Sequence, residues 1–309
     1  MPRTQAAVRC ANATHSGPGA KACYEGGVAD TAQGGEPGIE QAEERPSALI
    51  RLADRVIAVP VAFFAEVGAI ASLFGQALFW GIRPPYRVKL WIESMDFVGV
   101  GSIFIVGLTG MFVGMVFGIQ LADGFRQFGA ENQVGAVVGL ALTRELAPVF
   151  SALMVSSRAG SAMTTELGSM RVSDQIDALT TMAVNPVQYL VVPRLIAGAL
   201  MVPILTMLFN LVGIFGAWLV CVHFLGLDPG VFVDKVKWFV DAPDLMQGIV
   251  KAVVFGFIIT LIACRQGFYA GGGAAGVGRA TNRAVVQSAV SILVLDYVIT
   301  SIIMGQGGL

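Results

Sequence analysis

From Phe97 to Ala122 the chain runs 26 residues without a charge, bounded by Asp96 and Asp123. About 20 apolar residues suffice to cross the ~30 Å hydrocarbon core of a bilayer. Four further runs of similar length follow, at about 134–165, 195–222, 245–264 and 284–304. The pattern predicts an all-α integral membrane protein with five transmembrane helices. Composition agrees: 13% of residues are charged and the mean hydropathy is +0.71, whereas soluble domains carry about 25% charged residues.

Residues 1–47 are a different material, rich in Gly, Ala, Pro, Glu and Thr, with no apolar run. That composition predicts a disordered tail, and no apolar segment follows Arg3 to make it a secretion signal. Residues 48–80 alternate a narrow polar stripe, including Arg51, Asp54, Arg55 and Glu66, with Leu52, Ile57, Phe63, Phe64, Ile70 and Phe74. The stripe predicts an amphipathic helix lying in the membrane interface, kinked at Pro60. A competing reading makes Val56 to Trp80 a true span interrupted by Glu66. With an interfacial helix and the amino terminus inside, one side carries ten Lys and Arg residues: Arg51, Arg55, Arg83, Arg87, Lys89, Arg171, Arg194, Arg265, Arg279 and Arg283. The other carries three, Arg126, Lys235 and Lys237. The positive-inside rule then predicts a cytoplasmic amino terminus and an external carboxyl terminus.

Charges inside the runs bear most on function. Arg144, Glu145 and Arg158 lie in the second, Lys251 near one end of the fourth, and Asp296 in the fifth. Each intramembrane charge costs ~2.5–3.5 kcal/mol on insertion scales, so a polar path, a relay or an ion pair is expected. At 1.5 Å per residue, Arg144 lies ~15 Å below one surface and Asp296 ~18 Å from the other. Both fall near mid-membrane, which predicts an Arg144–Asp296 or Arg144–Glu145 network, either structural or in contact with a charged headgroup. Gly110, Gly114 and Gly118 repeat every fourth position, a small-residue ridge that admits a close helix neighbour.

Residues 166–194 read as a short amphipathic segment on the cytosolic side. Ser173 is placed to cap a helix, Asp174 suits its first turn, and Asn185-Pro186 ends it. Ile176, Leu179 and Met182/Ala183 form one apolar face, which rests either on the chain's own spans or on a soluble partner. Other chemistries find little support. Cys10, Cys23, Cys221 and Cys264 are scattered and His15 and His223 stand apart, so no metal site is expected. Gly271, Gly273 and Gly276 match a dinucleotide pattern, but no strand–helix unit surrounds them. Arg279-Ala280 stands where a phosphate loop needs Lys then Ser/Thr, and a flexible basic loop capped by Thr281 or Asn282 is expected instead. Ser151, Ser156, Ser157 and Ser161 have no histidine partner, so no catalytic residue is expected. A net charge of −1 gives no sign of nucleic-acid binding.

Several blocks are familiar: Thr-Arg-Glu-Leu-Ala-Pro-Val (143–149), Ser-Arg-Ala-Gly-Ser-Ala (157–162), Glu-Leu-Gly-Ser-Met-Arg-Val-Ser-Asp-Gln-Ile-Asp-Ala-Leu (166–179), Tyr-Leu-Val-Val-Pro-Arg (189–194), and Gly271 to Val286 followed by Asp296. From about residue 48 to the end, the chain resembles the MlaE/YrbE permease family. Ser169, where the family usually has Thr, and Thr281-Asn282, where it often has Thr-Thr, are mild departures. The resemblance implies a permease domain over 48–309, with an interfacial helix plus five spans in a bacterial inner membrane. It implies a homodimer that moves phospholipid with a cytosolic ABC ATPase, a periplasmic MCE-domain protein and often a STAS-domain protein, in support of outer-membrane lipid asymmetry. ATP and Mg would sit on the ATPase, leaving this chain without a cofactor or enzyme activity of its own. The resemblance also implies site roles. Glu166, Met170, Arg171, Asp174, Ile176, Asp177 and Leu179 would belong to the helix seated on the ATPase. Arg144 and Glu145 would line the lipid path with Asp296, and Arg283 would lie near its inner mouth. Two other classes remain open, a secondary transporter using Arg144, Glu145 and Asp296 as a proton relay, and an intramembrane lipid-modifying enzyme.

Overall fold

The computed structural model describes residues 66, 68–81 and 87–306. The predicted tail over 1–47, and residues 48–65 of the predicted interfacial helix, lie outside the described residues. Every regular element among the described residues is helical. Five are long and apolar enough to cross a membrane: Val88–Arg126, Glu131–Val172, Val187–His223, Ala242–Phe268 and Gly273–Gly305. These five spans match the five apolar runs in number and order. Each extends past its run, because hydropathy marks where lipid lies whereas backbone hydrogen bonding continues into polar residues at the membrane surface.

Small residues set the packing. Gly110, Gly114 and Gly118 lie buried along the first span. They face Phe209, Gly213 and Ala217 of the third, and a Cβ at residue 114 would collide with the Gly213 backbone. The first and third spans share the most extensive interface. In lipid, helices gain little from the hydrophobic effect against each other, so close backbone approach supplies the contact. The fourth span does the same with Gly248 against the Thr143 carbonyl and Gly256 against Gly198. The fifth is the least covered and turns Val286, Val290, Leu293, Val294 and Tyr297 outward.

Three segments differ from expectation. Between the third and fourth spans lies a helix, Pro229–Phe239, where only a connecting loop is expected. Asp228 caps it by accepting from the N–H groups of Gly230 and Val231 at 2.8 and 3.2 Å. Its Phe232 is buried against the start of the second span, where Gly135 leaves room for the Phe232 carbonyl. The expected basic loop over 271–278 is mostly helix, since the fifth span begins at Gly273. Gly272 and Gly273, with φ of 85° and 68°, make the turn that glycine alone adopts without strain. The third difference is at 166–194: the second span continues to Val172 and the third begins at Val187, so the joining segment is shorter than the apolar runs imply.

The second span is not a uniform helix. It widens into π turns at Leu142–Leu146 and Ser156–Gly160. Such turns insert an extra residue and recur at functional sites. Pro148 follows the first of them and lacks the N–H that would bond the Arg144 carbonyl. Arg144, Glu145 and Arg158 all sit in these two turns.

Candidate functional site

The first π turn sends Arg144 and Glu145 to different partners. Successive helix residues project about 100° apart, so neighbours in sequence seldom share a counter-ion. Arg144 donates from Nε to Asp244 Oδ1 at 2.8 Å, and its Nη2 lies 2.6 Å from the same oxygen. Asp244 is 8% exposed and Arg144 41%. The other Asp244 oxygen accepts from the Asp241 N–H at 3.1 Å, closing a capping box at the start of the fourth span. One carboxylate therefore both caps the fourth span and holds Arg144. The predicted Arg144–Asp296 and Arg144–Glu145 networks do not form, because Asp244 is nearer to hand and already oriented by its cap.

Glu145 and Asp296 meet instead through Lys251. This lysine is 0% exposed. Its Nζ donates to Glu145 Oε2 at 2.5 Å, Asp296 Oδ1 at 2.9 Å and Thr300 Oγ1 at 2.7 Å. All three ammonium protons are used. One cation thus joins the second, fourth and fifth spans, with two carboxyls around it that keep partial exposure. Sequence reasoning placed Lys251 near a helix end and passed over it. The structure supplies its depth: the fourth span starts at Ala242, before the apolar run at 245, which puts Lys251 ~14 Å along it.

Arg283 is not drawn into this cluster. It is exposed on the fifth span, 13 residues before Asp296 and so ~20 Å away along the helix. A groove of about 660 Å³ opens beside that end of the fifth span, lined by Thr165, Ser169, Ser173, Thr281 and Asn282 among others. Thr165 and Thr281 join hydroxyls across it at 2.9 Å.

At the same end of the molecule, the second span hands over to a helix of about two turns, Gln175–Thr181. Ser173 is not its cap. Its hydroxyl bonds back to the Ser169 carbonyl at 2.8 Å, and Asp174 holds the reversal with a left-handed φ of 57°. Asp177 takes Arg171 at 2.5 Å, and Glu166 takes Arg194 of the third span at 2.8 Å. The predicted apolar face divides. Ile176 is 1% exposed and sits in the chain's own core with Leu167, Leu190 and Leu195, with Leu179 and Met170 packed at its edge. Met182 is 72% exposed, and Val172 is also uncovered. The helix is thus anchored by Ile176, with Leu179 beside it, and presents its other side outward.

Leu73 and Ala77 of the helix over 68–81 join that same core. Glu66 accepts hydrogen bonds from Arg265, Gln266 and Gln287, tying the segment to the fourth and fifth spans. Among the described residues no group of His, Cys, Asp and Glu is placed to hold a metal ion.

The permease MlaE family model matches residues 91–302. A probable ABC transporter permease protein of Rickettsia felis is 39% identical over 254 residues, covering 82% of this chain and 98% of the relative. The intermembrane phospholipid transport system permease protein MlaE of Haemophilus influenzae is 36% identical, covering 79% and 94%. The chloroplastic protein trigalactosyldiacylglycerol 1 of Arabidopsis thaliana is 34% identical, covering 78% and 69%.

Proposed function

The chain belongs to the permease MlaE family, a multi-pass membrane protein of ABC-permease type, and from that membership we propose that it is the membrane subunit of an ATP-driven phospholipid transporter. In this reading two copies pair in the inner membrane of a bacterium, amino termini inside. A cytosolic ABC ATPase binds and hydrolyses ATP with Mg, a periplasmic MCE-domain protein exchanges lipid with the pair, and a STAS-domain protein joins the assembly. The work supports outer-membrane lipid asymmetry.

The observation that carries the mechanism is that one helix bears both candidate sites. The second span holds Arg144 and Glu145 in a π turn, and its far end leads into the outward-facing helix Gln175–Thr181. The ATPase docks on the exposed side of that helix through Asp174, Asp177 and Met182, while Ile176 and Leu179 fix it to the spans. Arg171–Asp177 and Glu166–Arg194 make the joint stiff enough to pass ATPase closure to the second and third spans. At the other end, that movement changes the Arg144–Asp244 and Lys251–Glu145–Asp296 contacts. Arg144, the more exposed cation, draws the lipid phosphate, and Arg283 meets headgroups near the opposite mouth.

The test is reconstitution of this chain with its ATPase and MCE partners in proteoliposomes, reading ATP-dependent transfer of labelled phospholipid. Arg144→Ala is expected to lower transfer while the complex stays assembled; undiminished transfer removes the headgroup role. The buried lysine between two carboxyls also fits a proton relay. Transfer driven by a proton gradient without ATP would favour that second reading.

A further inference from the structure

Five arginines among the described residues are half-buried: Arg144, Arg158, Arg171, Arg194 and Arg265. Four have a carboxylate, from Asp244, Asp177, Glu166 and Glu66 respectively. Arg158 has none among the described residues. Its one hydrogen bond there runs from Nη1 to the Phe97 carbonyl at 2.6 Å, and its guanidinium lies 5.5 Å from the Phe97 ring centroid.

The seat is shaped for this group. A Cβ at residue 101 would collide with the Arg158 guanidinium, so Gly101 provides the notch in which it rests. Arg158 itself sits in the second π turn, Ser156–Gly160. Of the five N–H donors of a guanidinium, four have no acceptor among the described residues. A guanidinium with donors to spare is a ready partner for an anion.

Depth says which one. Arg158 is 24 residues beyond Val134, ~36 Å along the helix against a hydrocarbon core of ~30 Å. Phe97 is the first residue of its apolar run, next to Asp96. Both counts put the guanidinium at the membrane surface on the end carrying Gln175–Thr181, the level of lipid phosphates in that leaflet. A groove of about 330 Å³ reaches Phe97, the residue that holds the guanidinium, and is lined by Leu90, Met163, Leu190 and the charged Glu93, Glu166 and Arg194 among others. Glu166 is taken by Arg194, and the apolar part of the wall suits the upper part of an acyl chain.

We propose that Arg158, seated on Gly101 and tethered to Phe97, binds the phosphate of a membrane phospholipid at a site separate from the Lys251 cluster. A guanidinium pairs with two phosphate oxygens at once. Geometrically this is a holding site in one leaflet, ~21 Å along the second span from Arg144. It goes beyond the permease reading and does not require it.

The test uses the purified full chain in lipid nanodiscs with phosphatidylglycerol carrying a photoreactive group near the headgroup. Labelling is expected on peptides containing 94–101 and 154–161. Loss of one charge-assisted hydrogen-bonded pair is worth about a tenfold drop, so Arg158→Gln should cut labelling by about that factor. Gly101→Ala keeps every charge but pushes the guanidinium off its seat, and should cut labelling similarly; it carries the test if Arg158→Gln does not fold. Photoreactive diacylglycerol, which lacks phosphate, should not label these peptides, and millimolar inorganic phosphate should not compete. Equal labelling of wild type and both variants, or equal labelling by diacylglycerol, overturns the proposal and leaves Arg158 as a staple between two helices. Competition by inorganic phosphate overturns the lipid assignment in favour of a free anion. If labelling behaves as expected but the proteoliposomes above move no lipid with ATP, the permease reading fails and this site stands.

Discussion

Lys251 Nζ lies 2.9 Å from Asp296 Oδ1, although the two residues are 45 positions apart and on different spans. With Glu145 of the second span, they form a charged knot that no pair of neighbouring residues forms by itself. Lys251→Ala leaves two carboxyls facing each other without a cation. Their partial exposure softens the cost, but two like charges held side by side still destabilise, so the purified variant should melt below the parent. Replacing all three with Met, Gln and Asn at 251, 145 and 296 removes the uncompensated charge. Thermal unfolding in detergent should then recover most of the loss.

Asp244 has two duties, the capping box and the hold on Arg144. Arg144→Ala spares the cap but leaves the nearly buried Asp244 carboxylate without its cation, and breaking such a pair from one side destabilises, so its melting temperature should fall. Adding Asp244→Asn removes the stranded charge while keeping an oxygen for the Asp241 N–H. The double variant should therefore melt above Arg144→Ala. No recovery would mean that the stranded charge was not the cause.

Gly114 and Gly107 share a helix and differ in surroundings. A Cβ at 114 meets the Gly213 backbone, which has nowhere to move, while one at 107 meets nothing within 4 Å. Overpacking of this kind costs about 1–3 kcal/mol or more. Gly114→Ala should lower the yield of folded protein on size-exclusion chromatography, and Gly107→Ala should not.

Ile176 and Met182 separate anchoring from docking. Ile176→Ala empties a filled site and should cost about 2–5 kcal/mol. Met182→Asp alters an exposed side chain and should leave the melting temperature unchanged while weakening co-purification of the ATPase. Unweakened co-purification would remove Met182 from the docking surface.

The five spans were legible because lipid imposes a crude rule: a helix that crosses it must stay apolar for about 20 residues. The glycine ridge was legible in part. Gly110, Gly114 and Gly118 announce themselves by spacing, whereas Gly248 and Gly256 matter only because the Thr143 and Gly198 carbonyls happen to pass there. The Pro229–Phe239 helix escaped notice since it is short and mixed in character, although Asp228-Pro229 is a recognisable start.

By itself the sequence determined which residues enter the membrane, how many times the chain crosses it, and which charges it takes along. Hydropathy and charge are properties of single residues summed over a window, and they survive without knowledge of neighbours. Pairing does not. Depth put Arg144 and Asp296 at one level, but a level is a plane, and where a side chain points within it depends on helix rotation. The two π turns of the second span shift that rotation, and the packing of five helices decides who stands opposite. Only the tertiary structure could give Arg144 to Asp244, place Lys251 between Glu145 and Asp296, and leave Arg158 without a carboxylate among the described residues.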